Sequence, residues 1–368
     1  MAAVAIAVSF LVIIVAVAVS SGFRSAIREG VAAMTGDIRI EPLVQADGEP
    51  VPMPRHLPSE SAIQALPGVV SLEPVALRAG IVKAGDIIHG ILVKGTERPD
   101  SALTVSIPNR LSEITGLGAG DPLTVYFIGE KVRVRKFRIT AVHRDLLEMD
   151  DNLIVQANLA DIQRLNGWSE DEVSCLELDV RDDLSRKAVE DLAADIGNRL
   201  LLSGYPEEEQ LYVSSAVRRY TQLFDWLDLL DFNVVFILIL MAVVAGFNMI
   251  SGLLILLLRQ ISLIGTLKTL GMDDRGIGRV FVRTGAGVVL KGMLAGNLVG
   301  LLFCLVQGTT HLIPLDPANY FVSWVPVHLD LPLILAADAA AFALILLLLW
   351  MPTRVIARID PARTVKAD

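Results

Sequence analysis

Apolar residues gather into four runs, each close to the ~20 residues that a helix needs to cross ~30 Å of hydrocarbon. The first, Ala2 to Val19, holds one polar residue, Ser9. The second, Val234 to Leu258, is interrupted only by Asn248, Ser251 and small residues, and it ends at Arg259. The third, Val280 to Val306, carries Arg283 and Lys291, and the fourth, Leu331 to Trp350, carries Asp338 and closes at Met351-Pro352. These runs predict a membrane protein with four transmembrane α-helices and a large extracytoplasmic mixed α/β domain between the first and second.

Within that domain, alternating or β-branched stretches predict strands over 37–42, 87–94, 122–127, 132–142 and 175–180. Helical patterns cover 159–166 and 183–201, and the proline-rich stretch 45–58 reads as a loop. From Ser214 onward, Leu223, Leu227 and Leu230 fall at helical spacing without a breaker, which predicts a stalk running into the second span. The expected divisions are therefore helix 1 over 1–23, the α/β domain over 24–213, stalk and helix 2 over 214–258, and a loop over 259–279. Helix 3 over 280–306, a short loop over 307–330, helix 4 over 331–351 and a tail over 352–368 complete the chain.

Charge sets the expected orientation. Arg259, Lys268, Arg275 and Arg279 lie between runs two and three, and Arg354, Arg358, Arg363 and Lys366 follow run four. Both segments are cytoplasmic by the positive-inside rule, which brings the N-terminus to the same side and exports 24–231. That region holds 22 Lys and Arg against 34 Asp and Glu, an acidic balance that argues against a nucleic-acid or anionic-lipid surface. A cleaved signal peptide competes for the first run, since Ala18-Val19-Ser20 resembles a cleavage site. The run exceeds the usual signal core and lacks a basic flank, which favours a retained span. Because the run opens beside Met1, the natural start stays open.

Candidate chemistry is sparse. Cys175 and Cys304 lie in a polar and an apolar stretch respectively, so no disulfide is expected between them. His56, His89, His143, His311 and His328 are scattered without metal-ligand spacing, which leaves no metal site and no catalytic residue to nominate. The acid pairs Asp150-Asp151 and Glu170-Asp171-Glu172 invite an enzyme reading, but acids clustered in loops are usually solvated. Gly292, Gly296 and Gly300, spaced four apart, put a small-residue face on helix 3 for close helix packing within the bundle or at a dimer seam. Lys291 is an intramembrane charge for which Asp338 is a candidate partner. Residues 261–272 read as a short amphipathic helix ended by a glycine cap, whose apolar surface calls for the membrane interface or a protein groove.

Several motifs together resemble the FtsX-like/MacB-type ABC transporter permease superfamily, and within it the lipoprotein-releasing (Lol-type) permeases as annotated in Bacteroidetes-like bacteria. They are Leu223-Phe224-Asp225-Trp226-Leu227-Asp228-Leu229-Leu230, Phe247-Asn248-Met249-Ile250-Ser251-Gly252, Ile264-Gly265-Thr266-Leu267-Lys268-Thr269-Leu270-Gly271, and Lys291-Gly292-Met293-Leu294-Ala295-Gly296-Asn297. Ser21-Gly22-Phe23-Arg24, Pro314-Leu315-Asp316-Pro317 and Ile359-Asp360-Pro361-Ala362 extend the likeness over nearly the whole chain.

The resemblance implies a multi-pass inner-membrane protein with cytoplasmic termini, working as a pair of permeases, either two copies or this chain with a paralogue. Each grips a cytoplasmic ABC ATPase, which binds the ATP and Mg, through a coupling helix at Ile264, Gly265, Leu267, Lys268, Leu270 and Gly271. Many relatives have glutamate where this chain has Leu263. By the same resemblance, a lipoprotein cargo enters laterally beside Ala16, Ala18, Gly246 and Ser251 and passes to a periplasmic carrier. An exported hairpin near Glu130 is a place to look for the carrier's docking surface. Energy has to come from a partner, because no GxxxxGK[ST] phosphate loop occurs in the chain. Two competing functions keep weight here: the same architecture used for efflux of a small molecule or peptide or for activating an envelope hydrolase, and a membrane-anchored enzyme.

Overall fold

The structure, a computed structural model, describes residues 2–44, 50–84, 87–98, 101–129, 132–143, 147 and 153–356. The elements follow in chain order as α1 (Ala2–Thr35), β1 (Ile38–Pro42), β2 (Met53–Pro54), α2 (Glu60–Gln64), β3 (Val69–Ala84), β4 (Ile87–Thr96), β5 (Thr104–Pro108), α3 (Asn109–Thr115), β6 (Pro122–Phe127) and β7 (Arg133–His143). After these come β8 (Ile154–Asn158), α4 (Leu159–Asn166), β9 (Glu172–Val173), β10 (Cys175–Val180), α5 (Arg186–Leu201), β11 (Leu211–Ser215) and α6 (Ala216–Arg219). The chain ends with α7 (Thr221–Arg259), α8 (Ile261–Thr269), α9 (Asp274–Thr310), α10 (Pro317–Tyr320) and α11 (Leu331–Ile356). Two compact units result: Met1–Ser25 with Trp226–Pro314 and Trp324–Asp368, and Ala26–Asp225 with Leu315–Ser323.

In the sheet unit, β3 is the spine. Its first half, Val69 to Val75, pairs with β10, and its second half, Ala76 to Ala84, pairs with β4. The order β3-β4-β8-β5-β7-β6 returns to β3 through Ile81 opposite Tyr126 and Val82 opposite Val125, so six strands close into a barrel. Closure brings β6 side chains onto the β3 backbone at Gly80, where an added Cβ would lie 2.6 Å from Val125 and 3.0 Å from Phe127. Glycine is the residue that lets the last pair of strands meet. Beyond the spine, β10, β1 and β11 form an antiparallel extension. Inward residues Val93, Val105, Ile107, Leu123, Val125, Phe127, Phe137, Ile139 and Val155 fill the barrel, and α4 and α5 join the same core through Ile162, Leu165, Val189 and Ile196. Helix α4 is capped by the Asn158 side chain and stopped by Gly167 in the left-handed conformation, and α5 is capped by Ser185.

Strand β10 is buried on both faces. Leu176 and Leu178 belong to the apolar core, while Cys175 and Glu177 point the other way and are buried too. There Glu177 accepts from Lys94 Nζ at 2.6 Å and from Arg39 at 2.9 Å, satisfying a carboxylate that would otherwise be costly to bury. Lys94 also donates to the Met34 carbonyl at 2.9 Å, and Arg219 donates to the Thr35 and Gly36 carbonyls at 3.0 and 2.8 Å. The last carbonyls of α1 thus meet two cations, as helix C-termini favour. Gly36, at φ +65°, supplies the left-handed residue that ends the helix. Burial depresses the Arg219 guanidinium to about 10 and pushes the Cys175 thiol up to about 12, leaving that thiol inert. Both cysteines are free and lie in different units.

Among the described residues, four helices are long and apolar enough to cross a membrane: α1, α7, α9 and α11. Several element bounds differ from those expected. Helix α1 continues to Thr35 because Phe23, Ile27, Val31 and Met34 prolong its buried stripe past the apolar run. Ser214 and Ser215 are strand residues paired with Arg39 and Ile38, so α7 starts only at Thr221. Helix α9 begins at Asp274, six residues before the apolar run, where the Asp273 side chain caps the Gly276 amide at 2.9 Å. Strands β3, β5, β8, β9 and β11 lie outside the expected set, and β2, paired with β9, falls within the stretch 45–58 read as a loop.

Candidate functional site

The sequence motifs converge on the membrane unit, where α9 is the central helix. An added Cβ at Gly292 would lie 2.7 Å from Ile6 and at Gly300 3.3 Å from Ile14, while at Gly296 it would press on the Ala7 carbonyl and Phe10. All four partners belong to α1 of the same chain. The glycine face is therefore filled by an intrachain neighbour, which leaves no room for a dimer seam on it; backbones without side chains approach closely where packing drives helix association in lipid. Gly285 lies against Met249 and Leu253 of α7 and Leu349 of α11. One core of Ile6, Phe10, Ile13, Ala245, Met249, Leu253, Phe281, Ile345 and Leu349 ties the four helices together. Large apolar side chains on the opposite faces, among them Phe236, Phe247, Leu298 and Leu302, are exposed, as lipid or a second membrane protein requires.

Helix α8 has two faces. Ile264 is 0% exposed and joins the membrane core together with Leu267, whereas Leu263 is 53% and Leu270 78% exposed. Met272 N–H donates to the Leu267 carbonyl at 3.0 Å and Leu270 N–H to Thr266 at 3.1 Å, and Gly271 adopts φ +89°. This is the glycine-terminated end expected from the sequence, and it fixes the direction of the chain into α9. Of the expected coupling residues, Ile264 and Leu267 pack into the bundle of their own chain, whereas Leu270 is exposed. Leu263, the position where many relatives have glutamate, lies seven residues before Leu270 and is exposed on the same side. The surroundings of Gly265 and the side chain of Lys268 lie outside the described residues.

The lateral-access candidates separate in the same way. Gly246 is closed by Leu348 of α11, and Ala18 is fully buried with Ile14, Val17, Cys304 and Ile334 while its carbonyl accepts from the His328 amide at 3.0 Å. Neither lines an opening, because helix packing already occupies both. Ala16 is half-buried, and Ser251 is exposed, with its hydroxyl returned to the Phe247 carbonyl at 3.1 Å.

Lys291 and Asp338 are not partners. Lys291 is exposed on α9 and forms no ion pair among the described residues. Asp338 is buried and accepts from the Asn297 amide. At one end of the unit, Arg24 and Ser20 of α1 both donate to Asp231 of α7, and Phe23 packs edge-on against Trp226 with centroids 5.6 Å apart. The acid cluster of the sheet unit is a turn: Ser169 N–H and hydroxyl donate to Glu172 at 2.8 and 2.9 Å, which holds the Glu172 carboxyl below its ordinary range. Among the described residues no group of His, Cys, Asp and Glu is arranged to hold a metal. Asp150, Asp151, Glu130, the tail after Ile356 and its motif Ile359-Asp360-Pro361-Ala362 lie outside the described residues.

The FtsX-like permease C-terminal family matches residues 235–361, which take in α8, α9, α10, α11 and most of α7. The chain is 23% identical to the lipoprotein-releasing system transmembrane protein LolE of Haemophilus influenzae, over 99% of this chain and 93% of that protein. It is 22% identical to LolC of Neisseria meningitidis over 99% and 92%. Among solved structures, the periplasmic region of MacB from Actinobacillus actinomycetemcomitans matches 53% of this chain and 95% of that one, at 13% identity and a TM-score of 0.32. With four helices apolar enough to cross a membrane among the described residues, a glycine-faced α9 locked to α1 and an α8 that presents Leu263 outward, this chain matches the FtsX-like permease C-terminal family over 235–361 and is similar over nearly its whole length to transmembrane proteins of lipoprotein-releasing systems.

Proposed function

We propose that this chain is the permease subunit of an inner-membrane ABC transporter that extracts lipid-anchored proteins from the bilayer, powered by a separate cytoplasmic ATPase. The observation that carries this reading is the split of α8. Its inner face is fixed to the bundle by Ile264 and Leu267, and its outer face offers Leu263 and Leu270 at the end of the unit where Lys and Arg collect. An ATPase groove that receives this face would bind differently in its two nucleotide states and so shift the permease between two arrangements. ATP and Mg stay with that partner. Two permeases, identical or paralogous, work together, with force passing through the membrane helices rather than through an aqueous channel. The sheet domain stands on the far side and hands cargo to a periplasmic carrier. Similarity over the whole length to lipoprotein-releasing proteins supports the cargo class.

Two measurements test the reading. Leu263→Asp combined with Leu270→Asp is expected to lose co-purification with the ATPase and to cut coupled ATP hydrolysis by roughly tenfold or more, since a charge in an apolar groove costs well over 1 kcal/mol. The melting temperature of the permease is expected to hold, because both side chains face outward. Photo-crosslinkers at Ala16 and Ser251 are expected to capture acylated lipoprotein, and at Gly246 and Ala18 to stay silent. Labelling of soluble peptides alone would turn the assignment toward peptide efflux, and retention of the ATPase by the double variant would remove α8 as its grip.

A further inference from the structure

The membrane unit buries an acid without a cation. Asp338, in α11, is 4% exposed, and its Oδ2 accepts a hydrogen bond from Nδ2 of Asn297 in α9. Two more oxygens at this place, Asp338 Oδ1 and Asn297 Oδ1, are buried and accept nothing. An ionised carboxylate is acceptor-only, and so is the amide oxygen. In that state the pair would leave two unpaired acceptors at a depth where each unsatisfied polar group is expensive. The cost would come on top of an intramembrane negative charge.

Among the described residues no neighbouring cation relieves that charge. On α9, Lys291 is exposed and six residues before Asn297, with Arg283, Arg279 and Arg275 farther back. On α11, Asp338 is the sole charged residue before Arg354; α1 has none before Arg24, and α7 none between Asp231 and Arg259. The other titratable group close by is the Cys304 thiol, which packs with Ile334, one turn from Asp338. A single proton answers both orphans. Carboxyl and amide groups are planar, each with two polar atoms side by side, and a bond along one edge allows a second along the other.

We propose that Asp338 is a proton-binding site: its Oδ1 carries a proton and donates it to Asn297 Oδ1, closing a neutral acid–amide ring that ties α9 to α11. The bound proton makes a buried acid a helix-pairing group instead of a charge. The inference holds whatever the permease transports.

The test uses the full chain in lipid nanodiscs. Asp338→Asn keeps both bonds of the ring without a titratable proton and is expected to melt with the wild type. Asp338→Leu and Asn297→Leu each strand a buried polar partner and are expected to melt several degrees lower, while the double leucine variant recovers most of that loss. At neutral pH, the infrared difference between wild type and Asp338→Asn is expected to contain the C=O stretch of a protonated, hydrogen-bonded carboxyl. An Asp338→Asn variant that melts as low as Asp338→Leu, or a difference spectrum carrying only carboxylate bands, overturns the proposal. If the leucine variants do not fold, the infrared comparison decides alone.

Discussion

Gly296→Leu is expected to break the membrane unit apart, lowering its melting temperature by ten degrees or so and releasing aggregated protein from detergent, as overpacking by a few kcal/mol does. The reason lies in what the new side chain meets. A Cβ at 296 runs into the Ala7 carbonyl and the Phe10 Cβ, which belong to or adjoin the α1 backbone and cannot rotate aside. Helix α1 must move away, and the same displacement opens the contacts at Gly292 and Gly300. Gly287 lies on the same helix with nothing within 4 Å of its Cβ position. Gly287→Ala is therefore expected to leave the melting temperature unchanged or slightly raised, since alanine is the better helix former by ~1 kcal/mol. Equal damage from the two substitutions would show that glycine content, and not the α1–α9 contact, matters. Thermal unfolding of the purified chain followed by size-exclusion chromatography reads both.

Glu177→Leu is expected to cost about 3–5 kcal/mol in the sheet unit, the penalty for removing one partner of a buried ionic group. Lys94 and Arg39 are both buried around that carboxylate, at 2.6 and 2.9 Å, and leucine would leave two cations without a counter-charge. The loss would spread to α1, because Lys94 also holds the Met34 carbonyl. Hydrogen exchange should locate the effect at 31–36 and along β1 and β10. Arg199, paired with Asp195 on the open face of α5, serves as the comparison: Arg199→Ala is expected to change stability by less than ~1 kcal/mol, as exposed pairs do. If the two substitutions cost the same, the buried network has no special weight.

Much of the architecture was legible because lipid imposes a one-dimensional rule. A helix in hydrocarbon must satisfy its backbone within itself and show apolar side chains outward, so the four spans appear as long apolar runs whatever they pack against. Strands with clean alternation, such as Pro122–Phe127 and Cys175–Val180, and capped helices such as Leu159–Asn166, were equally readable. Strand β3 was not. Its sequence contains Glu73, Pro74, Gly80 and Lys83, which read as interruptions, and its strand character comes from partners far along the chain: β10, β4 and β6. Barrel closure is a long-range pairing that no local window contains.

The candidate site divides along the same line. The residue types were visible in one dimension: a glycine every fourth position, an acid and an asparagine inside apolar runs, and a short amphipathic segment between two spans. Their roles were not, because a role depends on what stands opposite. Only the packed helices decide that the glycines receive α1, that Asp338 meets Asn297 instead of Lys291, and that Ile264 faces inward while Leu263 faces out. Sequence determines which surfaces avoid water; tertiary structure decides which of those surfaces meet each other, since close packing is a property of pairs of faces and not of any one of them.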